Sequence, residues 1–115
     1  MKKGDILLVR FPFTDLTSLK VRPTVVISPD SYNKQHQDLL LMFITTNVST
    51  SGPEDFLLTN KHPEFALTGL KVNSLFKISK ISILSKRLAV RKLGNIGPQI
   101  SSEINSRLQS FLQLM

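Results

Sequence analysis

The stretch FPFTDLTSLKVRPTVVIS, residues 11–28, passes from an aromatic, apolar segment through a polar connection into a β-branched run, with Arg22-Pro23 at the junction. Proline fixes its own φ, offers no N–H, and pushes the residue before it out of the helical region toward an extended conformation. Arg22 is therefore expected at a loop-strand boundary, held extended, where its guanidinium points in a definite direction. The run that follows, Thr24 to Ser28, reads as a strand.

Outward from this stretch the same pattern repeats. Short apolar runs occur at Ile6 to Phe11, Leu39 to Thr45, Phe56 to Thr59, Lys71 to Ile78 and Arg87 to Lys92, separated by turn-forming residues. Several short strands with polar connections predict a small curled antiparallel sheet or barrel. After Gly94-Asn95-Ile96-Gly97-Pro98 the period changes: Ile100, Ile104, Leu108, Phe111, Leu112 and Met115 recur at helical spacing. One amphipathic helix is expected to close the chain, capped by Ser101 or Ser102 with Glu103 in its first turn and its apolar C-terminal end packed on the sheet. With 115 residues and no repeat or linker, the sequence reads as a single domain, 1–115, able to bury its own core.

The absence of cysteine rules out disulfides and thiolate zinc sites and is compatible with a reducing compartment. At the N-terminus, MKKGDILLVRF starts basic, but Asp5 and Arg10 interrupt an apolar run too short for a secretory core. No segment is long enough to span a membrane, so a soluble, cytoplasmic protein is expected.

Charge is unevenly placed. The chain carries 15 Lys and Arg against 8 Asp and Glu, and between Glu64 and Glu103 there is no acidic residue while Lys71, Lys77, Lys80, Lys86, Arg87, Arg91 and Lys92 fall in that gap. Such a surface attracts polyanions through counterion release, and equally suits solubility or an acidic protein partner. Read as a strand, Lys86 to Lys92 places Lys86, Leu88, Val90 and Lys92 on one face and Arg87, Ala89 and Arg91 on the other. The apolar pair Leu88 and Val90 would turn the first face inward and leave Arg87 and Arg91 outward.

Most catalytic constellations are missing. His36 and His62 lie in polar, turn-prone segments without a second ligand at metal-binding spacing, as solvated loop histidines do. Asp5, Asp15, Asp30 and Asp38 are scattered, and there is neither a Gly-rich phosphate loop nor a nucleophile elbow. Cleavage of RNA by its own 2′-hydroxyl is a reaction that needs few special groups: orientation, proton exchange and stabilisation of a pentacoordinate phosphate. Arginine offers a planar fork of donors for phosphate, and a threonine hydroxyl adds one more hydrogen bond. FITTN, residues 43–47, has such hydroxyls at a strand end, although β-branching alone also favours Thr there.

Gly4-Asp5 before the first strand, PFTDL at 12–16, Arg22-Pro23 before the second strand and Ile44-Thr45-Thr46 closing the third resemble the MazF/PemK-type toxins, the endoribonuclease halves of bacterial toxin-antitoxin pairs. The likeness runs more loosely through Leu70 to Leu88 to the terminal helix. It implies an SH3-like β-barrel with a C-terminal helix, a homodimer, and cofactor-free, metal-independent cleavage of single-stranded RNA at short sequences. Arg22 and Thr45 fall on the family's catalytic arginine and threonine. Lys20, Thr46, Asn73, Ser74, Lys77, Arg87 and Arg91 become candidate RNA contacts. Relatives often carry glycine and glutamate before Arg-Pro; TSLKV has neither, and Asp15 is the carboxylate of that loop. The resemblance also implies an acidic antitoxin as partner, with DNA bound only through the antitoxin complex. Two alternatives stand beside it: a toxin of related fold that poisons DNA gyrase through its C-terminal helix end, and a non-catalytic basic SH3-like module binding RNA or protein.

Overall fold

The computed structural model describes residues 1–11 and 20–114. Six strands form one antiparallel sheet in the order β4-β5-β3-β2-β1-β6: β1 (Asp5–Phe11), β2 (Lys20–Val26), β3 (Asp38–Thr45), β4 (Phe56–Leu58), β5 (Ser74–Ser85) and β6 (Ala89–Asn95). Among the described residues, three helices, α1 (Asp30–Gln35), α2 (Phe65–Thr68) and α3 (Pro98–Leu112), and two 3-10 turns, Val48–Thr50 and Lys86–Leu88, accompany the sheet. The expected curled, mainly β fold with a terminal helix is what is found. The short α1, the turn at 86–88 and the full length of β5 are additions to it.

The central strands are covered on both faces, which explains why their sequences are continuous apolar runs rather than alternating ones. On one face Ile6, Val25, Met42, Ile44, Phe76 and Ile78 pack with Ile100 and Ile104 of α3. On the other, Leu7, Val9, Val26, Leu39 and Leu41 pack with Leu84 of β5, and Leu88 and Ala89 lie against them as the sheet curls over. Burying each such side chain contributes roughly 1.5–3 kcal/mol before conformational entropy is counted.

Two departures from regular pairing shape the rim. β2 pairs with β3 only from Thr24, opposite Phe43, to Val26, so Lys20 to Pro23 run beyond β3 and pair with β1 alone. Pro23, with no N–H to donate, stands where that pairing stops. Between the pairs Met42↔Ile81 and Ile44↔Phe76, β3 has one residue, Phe43, and β5 has four, 77–80. This bulge turns that part of β5 toward the gap between β2 and β3.

Three expectations are corrected. α3 starts at Pro98 after Gly97, with no side-chain cap from Ser101 or Ser102. Its first N–H groups go instead to Glu64, whose carboxylate accepts from Gln99 N at 2.9 Å and Ile100 N at 2.8 Å. At the other end, Phe111, Leu112 and Leu114 are 46%, 53% and 61% exposed, so the apolar terminus is not packed. Residues 86–92 are not one strand: the 3-10 turn breaks the alternation, and Val90, expected inside, is 45% exposed at a bulge between Val9↔Ala89 and Leu8↔Arg91.

Candidate functional site

A cavity of about 430 Å³ opens at the gap between β2 and β3, lined by Phe11, Arg22, Phe43, Ile44, Thr45, Thr50, Lys77 and Lys80. Each lining residue has a local cause. Arg22 is exposed on the part of β2 that has left β3. Thr45 is half-buried at the end of β3, and Lys77 and Lys80 come from the β5 bulge. The arginine of the opening stretch and the threonine of FITTN, distant in sequence, thus share one wall.

The Thr45 hydroxyl oxygen accepts the Asn47 N–H at 3.1 Å. A hydroxyl has one proton to give, and that bond uses only a lone pair. Among the described residues nothing accepts that proton, so it can be turned to a ligand oxygen in the cavity.

Lys77 differs from the other cations. Its Nζ donates to Asp55 Oδ2 at 2.7 Å and to the Thr50 carbonyl at 3.0 Å. Asp55 is buried and also accepts from Gly52 N at 2.9 Å and Ile78 N at 3.2 Å. Burial pushes the Asp55 carboxyl up, but the Lys77 hydrogen bond and charge, together with the two N–H donors, outweigh it and hold the group below its ordinary value. Lys77 thus ties the 48–50 turn to β5 and has its charge matched. Lys80, exposed, has no carboxylate within ion-pair distance among the described residues.

The other sequence candidates are dispersed. Thr46, one step along the strand from Thr45, lines a separate hollow with Val48, Asn60, Lys71, Val72 and Asn73. Asn73 uses its side-chain oxygen to accept from Asn60 N at 2.8 Å. Ser74 is fully buried, its hydroxyl donating to the Val72 carbonyl at 2.8 Å, and presents nothing to a ligand. Lys20 is exposed and pairs with Phe11, but it is not among the residues lining the main cavity. Arg87 is exposed in the 3-10 turn. Arg91 pairs with Leu8, the neighbour of Val9, whereas Arg22 pairs with Val9 itself. Arg91 lines a separate hollow with Asp5, Leu7 and Lys92, not the cavity that Arg22 lines. The PFTDL segment and Asp15 lie outside the described residues. Gly4 and Asp5 have structural roles: Gly4 turns with φ 91°, and Asp5 accepts from Lys2 N at 2.8 Å and lies 3.2 Å from Lys92 Nζ.

Sequence reasoning passed over Phe11, Phe43, Thr50 and Asp55, and placed Lys80 only within the general basic tract. Nothing local marks Asp55 in SGPEDF. The register shift that brings Lys77 and Lys80 together is a property of strand pairing, which the sequence of one strand does not display.

No curated protein matches the sequence. Solved structures share the fold. A mycobacterial endoribonuclease in complex with its cognate antitoxin superposes with a TM-score of 0.73 at 20% identity, covering 100% of this chain and 95% of that one. MazE-MazF from Deinococcus radiodurans gives 0.79 at 19%, covering 100% and 97%. The Mycobacterium tuberculosis toxin MazF-mt6 gives 0.74 at 13%, covering 96% and 98%. Over residues 2–112 the sequence matches the PemK-like, MazF-like toxins of type II toxin-antitoxin systems, and the chain belongs to that family.

Proposed function

We propose that this toxin cleaves single-stranded RNA, mRNA included, at short sequences and without a metal, with the phosphate held between Arg22 and Thr45. Family membership carries the class of enzyme, an endoribonuclease. The strand, the course of the reaction and the residue roles are the proposal, and the observation that carries them is that Arg22 and Thr45 line one cavity with Lys77 and Lys80.

In the proposed reaction the 2′-oxygen attacks the adjacent phosphorus and loses its proton. The bond from phosphorus to the 5′-oxygen breaks, and that oxygen gains a proton, leaving a 2′,3′-cyclic phosphate and a 5′-hydroxyl. Charge grows on the non-bridging oxygens as the pentacoordinate state forms. Arg22 meets it with a fixed positive fork and Thr45 with the proton its oxygen has kept, contacts that strengthen where the charge develops. Lys80 attracts the backbone to the rim.

The reading includes a homodimer in the cytoplasm and an acidic antitoxin that covers this cavity, the expected complement to a chain of net charge +7. DNA would be reached only through the antitoxin complex. The exposed Phe111, Leu112 and Leu114 are the feature on which a second reading, a toxin acting on gyrase, would depend.

Incubation of the purified protein with a long RNA, with and without EDTA, tests the proposal. Discrete fragments with cyclic-phosphate ends in both arms are expected. Intact RNA in both would overturn it and turn attention to the helix end; cleavage abolished by EDTA would overturn the metal-free course alone.

A further inference from the structure

We propose that Phe11 and Phe43 form a stacking platform for one unpaired base of the RNA, beside the phosphate held at Arg22. The inference rests on the RNA-directed reading above and names a group that would choose among sequences.

Phe11 ends β1 and Phe43 is the single β3 residue opposite the β5 bulge. Their ring centroids are 4.6 Å apart and their planes are inclined by 58°. Both lie against the Leu7, Val9, Leu39 and Leu41 cluster, which holds the rings in place from behind. Yet both remain only half-buried, and they line the cavity that Arg22, Lys77 and Lys80 also line. Lys20 stands directly across the strand pair from Phe11.

A wall of this composition suits few ligands. A simple anion would gain nothing from two phenyl rings, and an apolar molecule would have to desolvate the cations beside them. A nucleotide combines both needs, a flat base for the rings and a phosphate for the guanidinium. The cavity volume, about 430 Å³, falls within the range of small-ligand sites, with space for one such unit rather than a duplex. Stacking of splayed bases on aromatic side chains is the usual way single-stranded RNA is held, and differences in stacking surface give preference among bases.

The test uses mixed-sequence 2′-O-methyl oligoribonucleotides, in which the attacking hydroxyl is blocked, each with 2-aminopurine at one successive position. Stacking quenches this fluorophore, and the protein, with no Trp and one Tyr, contributes little background. One position is expected to be quenched on binding. Phe43→Leu should remove that quenching and weaken binding roughly tenfold, while Phe43→Tyr, which keeps the ring, retains both. An abasic nucleotide at the same position should weaken the wild type by a similar factor and add nothing to Phe43→Leu. Binding without quenching at any position, or quenching that survives in Phe43→Leu, overturns the platform and leaves cleavage of RNA untouched. If none of the oligonucleotides binds, and long RNA also stays intact, the RNA reading falls with it.

Discussion

The cavity between β2 and β3 and the ridge formed by the 86–88 turn with β6 are both basic, yet they differ in what their charges face. In the cavity, Lys77 is matched by the buried Asp55, and Arg22 and Lys80 stand beside it on an aromatic, hydroxyl-bearing wall. On the ridge, Lys86 donates to the Asn33 carbonyl, Lys92 is 3.2 Å from Asp5, and Arg87 and Arg91 project from an irregular edge. Counting cations along the sequence makes the ridge the stronger candidate. Geometry favours the cavity, because there the cations, a hydroxyl and rings converge on one volume.

The sharpest way to break this contrast is to remove the cavity's arginine. Arg22→Ala should slow single-turnover cleavage by about two decades, equivalent to roughly 3 kcal/mol of lost transition-state stabilisation, with little change in melting temperature because the side chain is exposed. Arg22→Lys should recover only part of the rate, since an ammonium lacks the fork. Thr45→Ala should cost less, and Thr45→Ser, which restores the hydroxyl, should regain most of it. Wild-type rates in Arg22→Ala would end the assignment of the cavity.

Within the cavity, Lys77 and Lys80 should fail in different ways. Lys77→Met leaves the buried Asp55 carboxylate without its cation, so a loss of roughly 3 kcal/mol is expected. For a chain of this size that lowers the melting temperature by roughly 10 °C. The same pair sets an acid limit. Because the Asp55 carboxyl is held below its ordinary value, its contribution is complete above about pH 4 and is lost as the pH falls through the lower folded value. Denaturation followed between pH 5 and pH 2 should therefore steepen in the wild type and flatten in Asp55→Asn. Lys80→Met should leave stability alone, weaken oligonucleotide binding, and lower its salt slope by roughly 0.7. Equal melting losses for the two lysines would show that the structural division between them is wrong.

Much of this arrangement was readable in the sequence, and the unreadable part has physical causes. Arg22 is extended, as the local sterics of the following proline require, but it stands inside β2, which reaches back to Lys20, and not at the expected loop-strand boundary; what ends at Pro23 is the pairing with β3. The strands were evident from β-branched runs, and the terminal helix from its period. What could not be read depends on residues far apart meeting: Glu64 capping α3, Asp55 binding Lys77, and the three-residue excess in β5 that aims Lys80 at the cavity. The reading of 86–92 as a regular strand failed because alternation assumes unbroken pairing, and a 3-10 turn with a bulge breaks it twice. Asn73 and Ser74 are candidates through the family resemblance, and their place at a strand start accounts for them without an RNA role. One bonds Asn60 and the other is fully buried, uses that local hydrogen bonding satisfies.

The smallest expected effect tests the ridge itself. Were Arg87 and Arg91 an outward pair on one strand face, their removal would act alike on RNA binding. Their positions are not alike: Arg87 projects from the 3-10 turn that lies against the Val9 face, whereas Arg91 lies in β6 opposite Leu8, further along β1 from Phe11, in a hollow with Asp5. A strand of RNA seated at Arg22 meets the first before the second, whose hollow also carries the Asp5 carboxylate. Arg87→Ala should therefore lower the salt slope of binding to a non-cleavable oligonucleotide by about 0.7, one phosphate contact for a single strand, while Arg91→Ala leaves the slope unchanged. Neither should alter the single-turnover rate at saturating enzyme, since both lie outside the cavity wall. A slope change from Arg91→Ala equal to that of Arg87→Ala would mean that the RNA runs on along β6 into that hollow, and the path from the cavity would have to be redrawn to include it.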